Sequence, residues 1–308
     1  MPLPSDEKLV QLGKDIIQTF DAAFGVHPGK RPAHAKGILL KGEFHASPDA
    51  RTLTRAPHIQ RDSVPVVARF SSSTGLPAIP DSDPNSNPRG LAIRFYLAER
   101  SHTDIISHSV DNFPCRNGDD FLALRQAAAD PNPAAIQQFL AAHPETLAFL
   151  QIPKPFPASF ARENYFAVNA FSFTNAANQQ RFGRYRILPA AGVAHLDNAD
   201  AAAKGPDFLY DELRQRIQSE PIRFDIRVQI AGRGDTVDDA TARWPEDRPQ
   251  IPFGTLTLNS VHPDDESEQK HIIFDPIPRV DGIEPSADPL LDLRAAVYLL
   301  SGRRRREA

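Results

Sequence analysis

Residues 222–230 read IRFDIRVQI, and this stretch decides the fold class. Apolar residues occupy every second position from Ile222 to Ile230, with Arg, Asp, Arg and Gln between them. Successive side chains of a β-strand point to opposite faces of a sheet. The alternation therefore predicts a strand that is buried on one face and solvated on the other.

Shorter stretches rich in β-branched or aromatic residues predict further strands, at residues 37–44, 64–71, 91–97, 166–174, 184–188 and 253–259. Turns rather than long crossover helices join most of them, which favours an antiparallel sheet or a closed barrel. Apolar periodicity and capping residues predict helices within residues 6–24, 118–143, 207–219 and 289–301. We therefore expect an α+β fold with helices at the periphery of an antiparallel β-barrel.

The first predicted helix is amphipathic, because apolar residues recur every three or four positions from Leu9 to Ala23. Ser5 is in place to cap its first turn, and Gly25 ends it. No linker-like composition divides the rest of the chain. We expect residues 1–24 to form an N-terminal amphipathic helix and residues 25–308 to form the main domain. The helix could pack on its own domain or on a partner subunit, so a homodimer stays open.

Composition excludes several classes of protein. Of the 308 residues, 41% are hydrophobic and 24% are charged, which is typical of a globular chain with a sizeable core. No apolar run approaches the length of a membrane span, and no secretory signal pattern begins the sequence. The net charge of −4 gives no basic field for nucleic acid. The single cysteine, Cys115, excludes an internal disulfide and fits a cytoplasmic location.

Arginine outnumbers lysine by 27 to 8, and Arg303–Arg306 form a run that, taken alone, is typical of a solvated tail. Arg294 and Tyr298 stand four residues apart on the last predicted helix, so they share a face. A phenolate beside a guanidinium is a hard ligand for ferric iron. By itself, the pair is more typical of an ordinary amphipathic helix whose arginine extends its charged end to solvent.

Short motifs along the chain occur in an order that resembles the haem catalases. HAKG at 34–37, RFS at 69–71, NPRGLAIRFY at 87–96 and DIISH at 104–108 are followed by RNGDDF at 116–121, GTLTLN at 254–259, FDP at 274–276, GIEPSADPLL at 282–291 and the Arg294–Tyr298 pair. The colinear order, over about residues 25 to 305, carries the resemblance. It implies a catalase-like barrel of about eight strands with a C-terminal helix that bears a haem ligand.

The resemblance also implies roles for individual residues. Tyr298 matches the proximal iron ligand, and Arg294 matches the arginine that keeps it ionised. His34 matches the distal acid–base histidine, and Ser71 matches the serine that orients it. Arg31, Arg69 and Arg305 match positions that contact the haem propionates, and Arg303 is an alternative to Arg305. Phe113 and Phe121 match aromatic positions near the haem.

One position departs from the family pattern. Ser109 stands where catalases carry a distal asparagine, and Asn112 is nearby but out of register. A serine hydroxyl is shorter than an amide, so we expect it to orient peroxide less firmly. His108 is an additional distal candidate.

The sequence ends soon after the ligand helix, as in the minimal catalase-related peroxidases, which the chain resembles most. We expect ferric haem b (protoporphyrin IX), a peroxide substrate and a small organic reductant, with weak catalase activity. Three alternatives stay open: a true catalase, a haem-binding protein without turnover, and an enzyme that rearranges fatty-acid hydroperoxides in the manner of allene oxide synthases. The apolar loop segment at residues 76–80 could serve the lipid of the last alternative.

Overall fold

The computed structural model describes residues 3–308. The strands are β1 (Gly37–Ala46), β2 (Val64–Ser71), β3 (Gly90–Ala98), β4 (Ser101–His108), β5 (Phe156–Pro157), β6 (Tyr165–Phe166), β7 (Phe171–Thr174), β8 (Gln180–Pro189), β9 (His195–Leu196), β10 (Ile222–Ile230), β11 (Gln250–Val261) and β12 (Ile283–Pro285). The helices are α1 (Glu7–Phe24), α2 (Ala50–Leu53), α3 (Gly118–Ala129), α4 (Pro133–Ala142), α5 (Pro144–Gln151), α6 (Asn198–Ala202), α7 (Phe208–Ser219), α8 (Asp265–His271) and α9 (Leu290–Glu307).

Within residues 3–308, eight strands close into an antiparallel barrel in the order β1-β2-β3-β4-β6-β8-β10-β11, with β11 returning to β1. β7 and β12 extend the sheet from β8, and β5 pairs with β9 as a separate ribbon. The helices lie around this barrel. The predicted α+β class and the antiparallel barrel are confirmed.

The barrel interior is filled with side chains. On β10, Ile222, Phe224 and Ile226 are buried, whereas Arg223 and Asp225 between them are exposed. Aromatic rings from other strands meet them inside the barrel. The rings of Phe44 and Phe95, for example, pack edge to face with centroids 5.1 Å apart. Because the interior is packed, as in other small barrels, a ligand has to bind outside it.

Three local predictions are wrong. Asp6, not Ser5, caps α1, because its carboxylate accepts hydrogen bonds from the amides of Lys8 and Leu9 at 2.9 and 3.3 Å. Residues 166–174 do not form one strand, since the chain leaves the sheet between β6 and β7 and uses Asn169 for polar contacts elsewhere. Arg303–Arg306 do not form a tail, because α9 continues through them to Glu307; Arg305 is buried, whereas Arg303 and Arg306 are solvated as predicted.

α1 packs along α9 in this chain. Gly13 leaves room for Val297 and Leu300, whose side chains would lie 3.5 Å from a β-carbon at that position. Asp21 of α1 forms an ion pair with Arg304 of α9. The first two residues of the predicted segment 1–24 lie outside the described residues. From residue 3 onward, no helix combines the length and apolarity needed to cross a bilayer.

A buried ion pair fastens the segment between α8 and β12 to the barrel. Asp104 on β4 accepts hydrogen bonds from the guanidinium of Arg94 on β3 at 2.9 and 2.7 Å. The same carboxylate accepts from the backbone amide of Asp275 at 2.6 Å. Arg94 also donates to the carbonyl of Ile273. The pair therefore fixes residues 273–275 against the outer face of β3 and β4.

We expect Asp104→Ala to lower the free energy of unfolding by about 3–5 kcal/mol, because it leaves the Arg94 guanidinium buried without its carboxylate. Chemical denaturation followed by circular dichroism measures this change. Asp225→Ala, on the exposed face of β10, is the control and should change stability by less than about 0.5 kcal/mol. Equal stability of the two variants would contradict the role given to the pair.

Candidate functional site

A cavity of about 780 Å³, which includes the space at its open mouth, lies between the outer face of strands β2 to β4 and helix α9. Its walls are mainly apolar, with Ala92, Ile106, Phe274 and Val297 among them. The polar groups are few and stand at defined places, so the cavity has the character of a binding site.

His34 and Ser71 form one polar group of the cavity. The imidazole Nδ1 of His34 lies 3.1 Å from the Ser71 hydroxyl. His34 has a left-handed backbone, with φ of 57°, and its amide donates to the carbonyl of Ser73. Gly90 provides the space beneath the pair, because a β-carbon there would lie 2.5 Å from the Ser71 oxygen and 3.1 Å from the imidazole. The ring is therefore held in one orientation against the sheet.

The environment keeps His34 neutral. Burial, followed by the positive charges of Arg69 and Arg31, lowers the pKa of His34 from 6.5 to about 3. A neutral imidazole with one nitrogen bound to Ser71 has its other nitrogen, Nε2, available. His34 can therefore accept a proton at Nε2 near neutral pH.

Three arginines converge at the cavity without an acidic partner. Arg31 donates to the carbonyls of Gln269 and Ile272, each at 3.1 Å. Arg69 donates to the side-chain carbonyl of Gln269 at 3.0 Å, and Arg305 donates to the Ser301 hydroxyl at 2.9 Å. Among residues 3–308, no carboxylate lies within ion-pair distance of any of the three, and Nε of Arg305 has no hydrogen-bond partner.

Mutual repulsion and burial act on these cations. Burial, followed by the charges of Arg69 and Arg305, lowers the pKa of Arg31 well below its usual range. Burial lowers the pKa of Arg69 to about 10 and, together with Arg69 and its neighbours on α9, that of Arg305 to about 9. A bound anion would relieve this uncompensated positive charge.

Tyr298 faces the same cavity from α9. Arg294, one turn earlier, donates to its hydroxyl oxygen at 3.4 Å and places its guanidinium 5.8 Å from the ring centre. Asn169, from the break between β6 and β7, accepts a hydrogen bond from Arg294 and donates to Asp288 at 2.8 Å. The phenol oxygen is thus held in place as a hydrogen-bond acceptor at the cavity wall.

The remaining candidates lie at or beyond the edge of the cavity. Phe113 and Phe121 pack on each other, with ring centroids 5.6 Å apart, behind the wall that Val297 forms. The Ser109 hydroxyl accepts a hydrogen bond from the Arg89 amide at 2.9 Å and is not among the groups that line the cavity. Arg303 is exposed, whereas Arg305 is buried at the cavity.

Cys115 is also outside the cavity. Its thiol is buried 3.9 Å from the Thr146 hydroxyl, and burial raises its pKa to about 12. At neutral pH this side chain is therefore an unreactive thiol.

Sequence reasoning missed three contributors to the site. Phe20 of α1 forms part of the cavity wall. Gln269 of α8 accepts from Arg69 and donates to the carbonyl of Gly37, and so ties the arginine to β1. Asn169 orients Arg294. Only Phe20 had a usable signal, since it belongs to the apolar face of an amphipathic helix.

The chemistry of these groups fits a haem. Three arginines could hold its two carboxylates, the apolar walls could cover its ring, and the phenol oxygen of Tyr298 could bind ferric iron. Residues 3–308 contain no cluster of three or more His, Cys, Asp or Glu side chains that could hold a metal ion. Arg31, Arg69 and Arg305 stand at one side of the cavity, and His34 and Tyr298 also line it.

Comparison with known proteins identifies a family. The profile of the catalase family matches residues 26–307. The chain is 35% identical over 295 residues to a catalase-related peroxidase of Synechococcus elongatus, covering 93% of this chain and 86% of the relative. It is 37% identical over 282 residues to a catalase-related peroxidase of Mycolicibacterium paratuberculosis, covering 90% and 89%.

Among solved structures, catalase A from Saccharomyces cerevisiae superposes with a TM-score of 0.80 at 21% identity. The match covers 90% of this chain and 61% of that catalase, so the chain spans less than two thirds of its length. This likeness concerns the fold. The match of the family profile over residues 26–307 shows that the chain belongs to the catalase family.

Proposed function

We propose that the protein is a haem-dependent peroxidase that uses hydrogen peroxide or an organic peroxide to oxidise small organic donors, with weak catalase activity. Haem is the cofactor of the catalase family, and haem b is our proposal for this chain. The relatives named catalase-related peroxidases support the reaction class. One observation carries the proposal: a neutral histidine, an arginine-supported tyrosine and three unpaired arginines line one cavity.

Different residues of the cavity would bind the haem carboxylates and the iron. Arg31, Arg69 and Arg305 would bind the haem carboxylates, and Tyr298 would bind the iron, with Arg294 holding the phenol oxygen in position. The bound haem supplies the redox chemistry that breaks the peroxide O–O bond. What the chain adds on the peroxide side is proton transfer.

His34 would carry that proton. With its Nδ1 held by Ser71, the imidazole would accept at Nε2 a proton from one oxygen of the peroxide. It would then return this proton to the other oxygen. With two electrons supplied by the bound haem, the O–O bond would break, and water would leave from hydrogen peroxide or an alcohol from an organic peroxide. A group that both accepts and returns a proton needs a fixed orientation and a neutral resting state. The Ser71 contact and the lowered pKa of His34 provide these two conditions.

No observation favours the lipid alternative. In the loop segment at residues 76–80, Ile79 is buried away from the cavity and Leu76 is exposed. The choice between peroxidase and true catalase depends on which reductant consumes the oxidised enzyme. Peroxide assays with and without an organic donor decide it.

We expect Tyr298→Phe to lose the tyrosinate charge-transfer bands of the ferric, haem-loaded protein, because the variant removes the iron ligand. Absorption spectra of purified protein before and after hemin addition measure this. Tyr96→Phe is the control, since Tyr96 is half-buried in the same apolar cluster but does not line the cavity. An unchanged spectrum in Tyr298→Phe would refute the ligand assignment.

We expect His34→Ala to keep its haem and to react with peroxide about 10²–10⁴-fold more slowly, because proton transfer is lost. Stopped-flow absorption after mixing with peroxide measures the rate. His45→Ala, at a half-exposed surface histidine of β1, should react at the wild-type rate. Were the protein only a haem binder, neither form would react with peroxide.

We expect the rate at which the wild-type, haem-loaded protein reacts with peroxide to stay constant from about pH 8 to pH 5 and to fall only as the pH approaches 3. The sign follows from the base: its pKa is lowered, so the neutral form persists well below pH 6.5. A pH series of the stopped-flow experiment measures this. A decline centred between pH 6 and 7 would mean that His34 titrates as an ordinary, solvated histidine.

A further inference from the structure

The strand register brings a second histidine beside His34. Ser71 of β2 lies opposite Gly90 of β3, and Gly90 lies opposite His108 of β4. Gly90 has no side chain, and His34 occupies the space above it. His34 therefore lies over Gly90, and His108 lies directly across from Gly90 on the next strand.

His108 also belongs to the face of the sheet that bears the cavity. Ile106 lines the cavity, and His108 follows it by two residues on the same strand, so the two side chains point the same way. His108 keeps part of its surface accessible. Burial, followed by the charges of Arg294 and His34, lowers its pKa to about 3. His108 itself is not among the residues that line the cavity, so its place is next to the cavity, one residue beyond Ser107.

The hydrogen bonds of His108 define its character. The amide of Val110 donates to its Nδ1 at 3.3 Å, so Nδ1 is an acceptor. In a neutral imidazole the hydrogen is then on Nε2. His108 thus presents an N–H donor, whereas His34 is able to present an acceptor. The two rings are complementary toward a molecule that both gives a proton and accepts a hydrogen bond, as peroxide does.

Ser109 is held by the backbone of Arg89. Its hydroxyl accepts from the Arg89 amide at 2.9 Å, and its own amide donates to the Arg89 carbonyl at 2.8 Å. Both contacts fasten it to the backbone at the start of β3. We propose that His108, rather than Ser109, supplies the second distal hydrogen-bond donor, which positions peroxide against His34. This inference rests on the proposed function.

Fluoride binding to the ferric, haem-loaded protein tests the donor without turnover, because the bound anion accepts hydrogen bonds from distal groups. We expect His108→Leu to weaken fluoride binding by about tenfold to a hundredfold, as loss of a hydrogen bond to an anion does. His108→Gln keeps an N–H donor near the position of Nε2 and should restore most of the affinity. His102→Leu, on the same strand and face but away from the cavity, is the matched control.

The possible results separate failure of the His108 assignment from failure of the proposed function. Equal fluoride affinity in His108→Leu and wild type would overturn the inference and leave the proposed function standing. Loss in Ser109→Ala with no loss in His108→Leu would assign the donor to Ser109. Failure of the wild-type protein to take up haem would overturn the proposed function, and the inference with it.

A second measurement needs no haem and uses a variant only to assign signals. Long-range ¹H–¹⁵N correlation spectra of the histidine rings report which nitrogen carries the hydrogen. We expect His108 to be neutral and protonated at Nε2 at pH 7, with His108→Gln used to assign its signals. A hydrogen on Nδ1 would contradict the contact with Val110 and overturn the inference.

Discussion

Uncompensated positive charge is the constraint on which the rest of this structure depends. Arg31, Arg69 and Arg305 come from a loop, a barrel strand and the last helix, and each is held by neutral acceptors only. Buried cations without carboxylates are costly, so the surrounding fold has to hold them in place. The carbonyl of Ile272 alone accepts from both Arg31 and Arg305. The arrangement makes the cavity complementary to a ligand that carries carboxylates.

The barrel meets this constraint by using the two faces of its strands differently. Inward faces are filled with aromatic and aliphatic side chains, and the outward faces of β2 to β4 form the floor of the cavity. Glycine is needed at two positions beside the polar groups of the cavity. A β-carbon at Gly37 would lie 2.3 Å from the Arg69 guanidinium, and one at Gly90 would collide with Ser71. Two glycines, on the strands at either side of β2, therefore leave the space that the polar groups occupy.

Much of this could be predicted from local sequence, and the remainder depends on contacts between distant segments. The alternation in residues 222–230 predicts strand β10, because successive residues there point alternately into the barrel and to its outside. Arg294, Tyr298, Ser301 and Arg305 are spaced by four, three and four residues, which marks one helical face. Composition alone hides this face beyond Tyr298, because a run of arginines looks solvated when the packing of Gly302 on Ile273 is unknown, and only the family resemblance indicates Arg305. Asn169 left no signal, since its role depends on Arg294, 125 residues later.

The helix α1 shows how a segment outside the family match can still shape the site. The catalase profile begins at residue 26, after α1 ends. Yet Phe20 forms part of the cavity wall, and Asp21 pairs with Arg304, the neighbour of Arg305. α9 is thus held on one side by α1 and on the other by the segment around Ile273. Its cavity face cannot rotate without breaking one of these contacts, and this fixes Tyr298 and Arg305 relative to the barrel strands that carry Ser71 and Arg69.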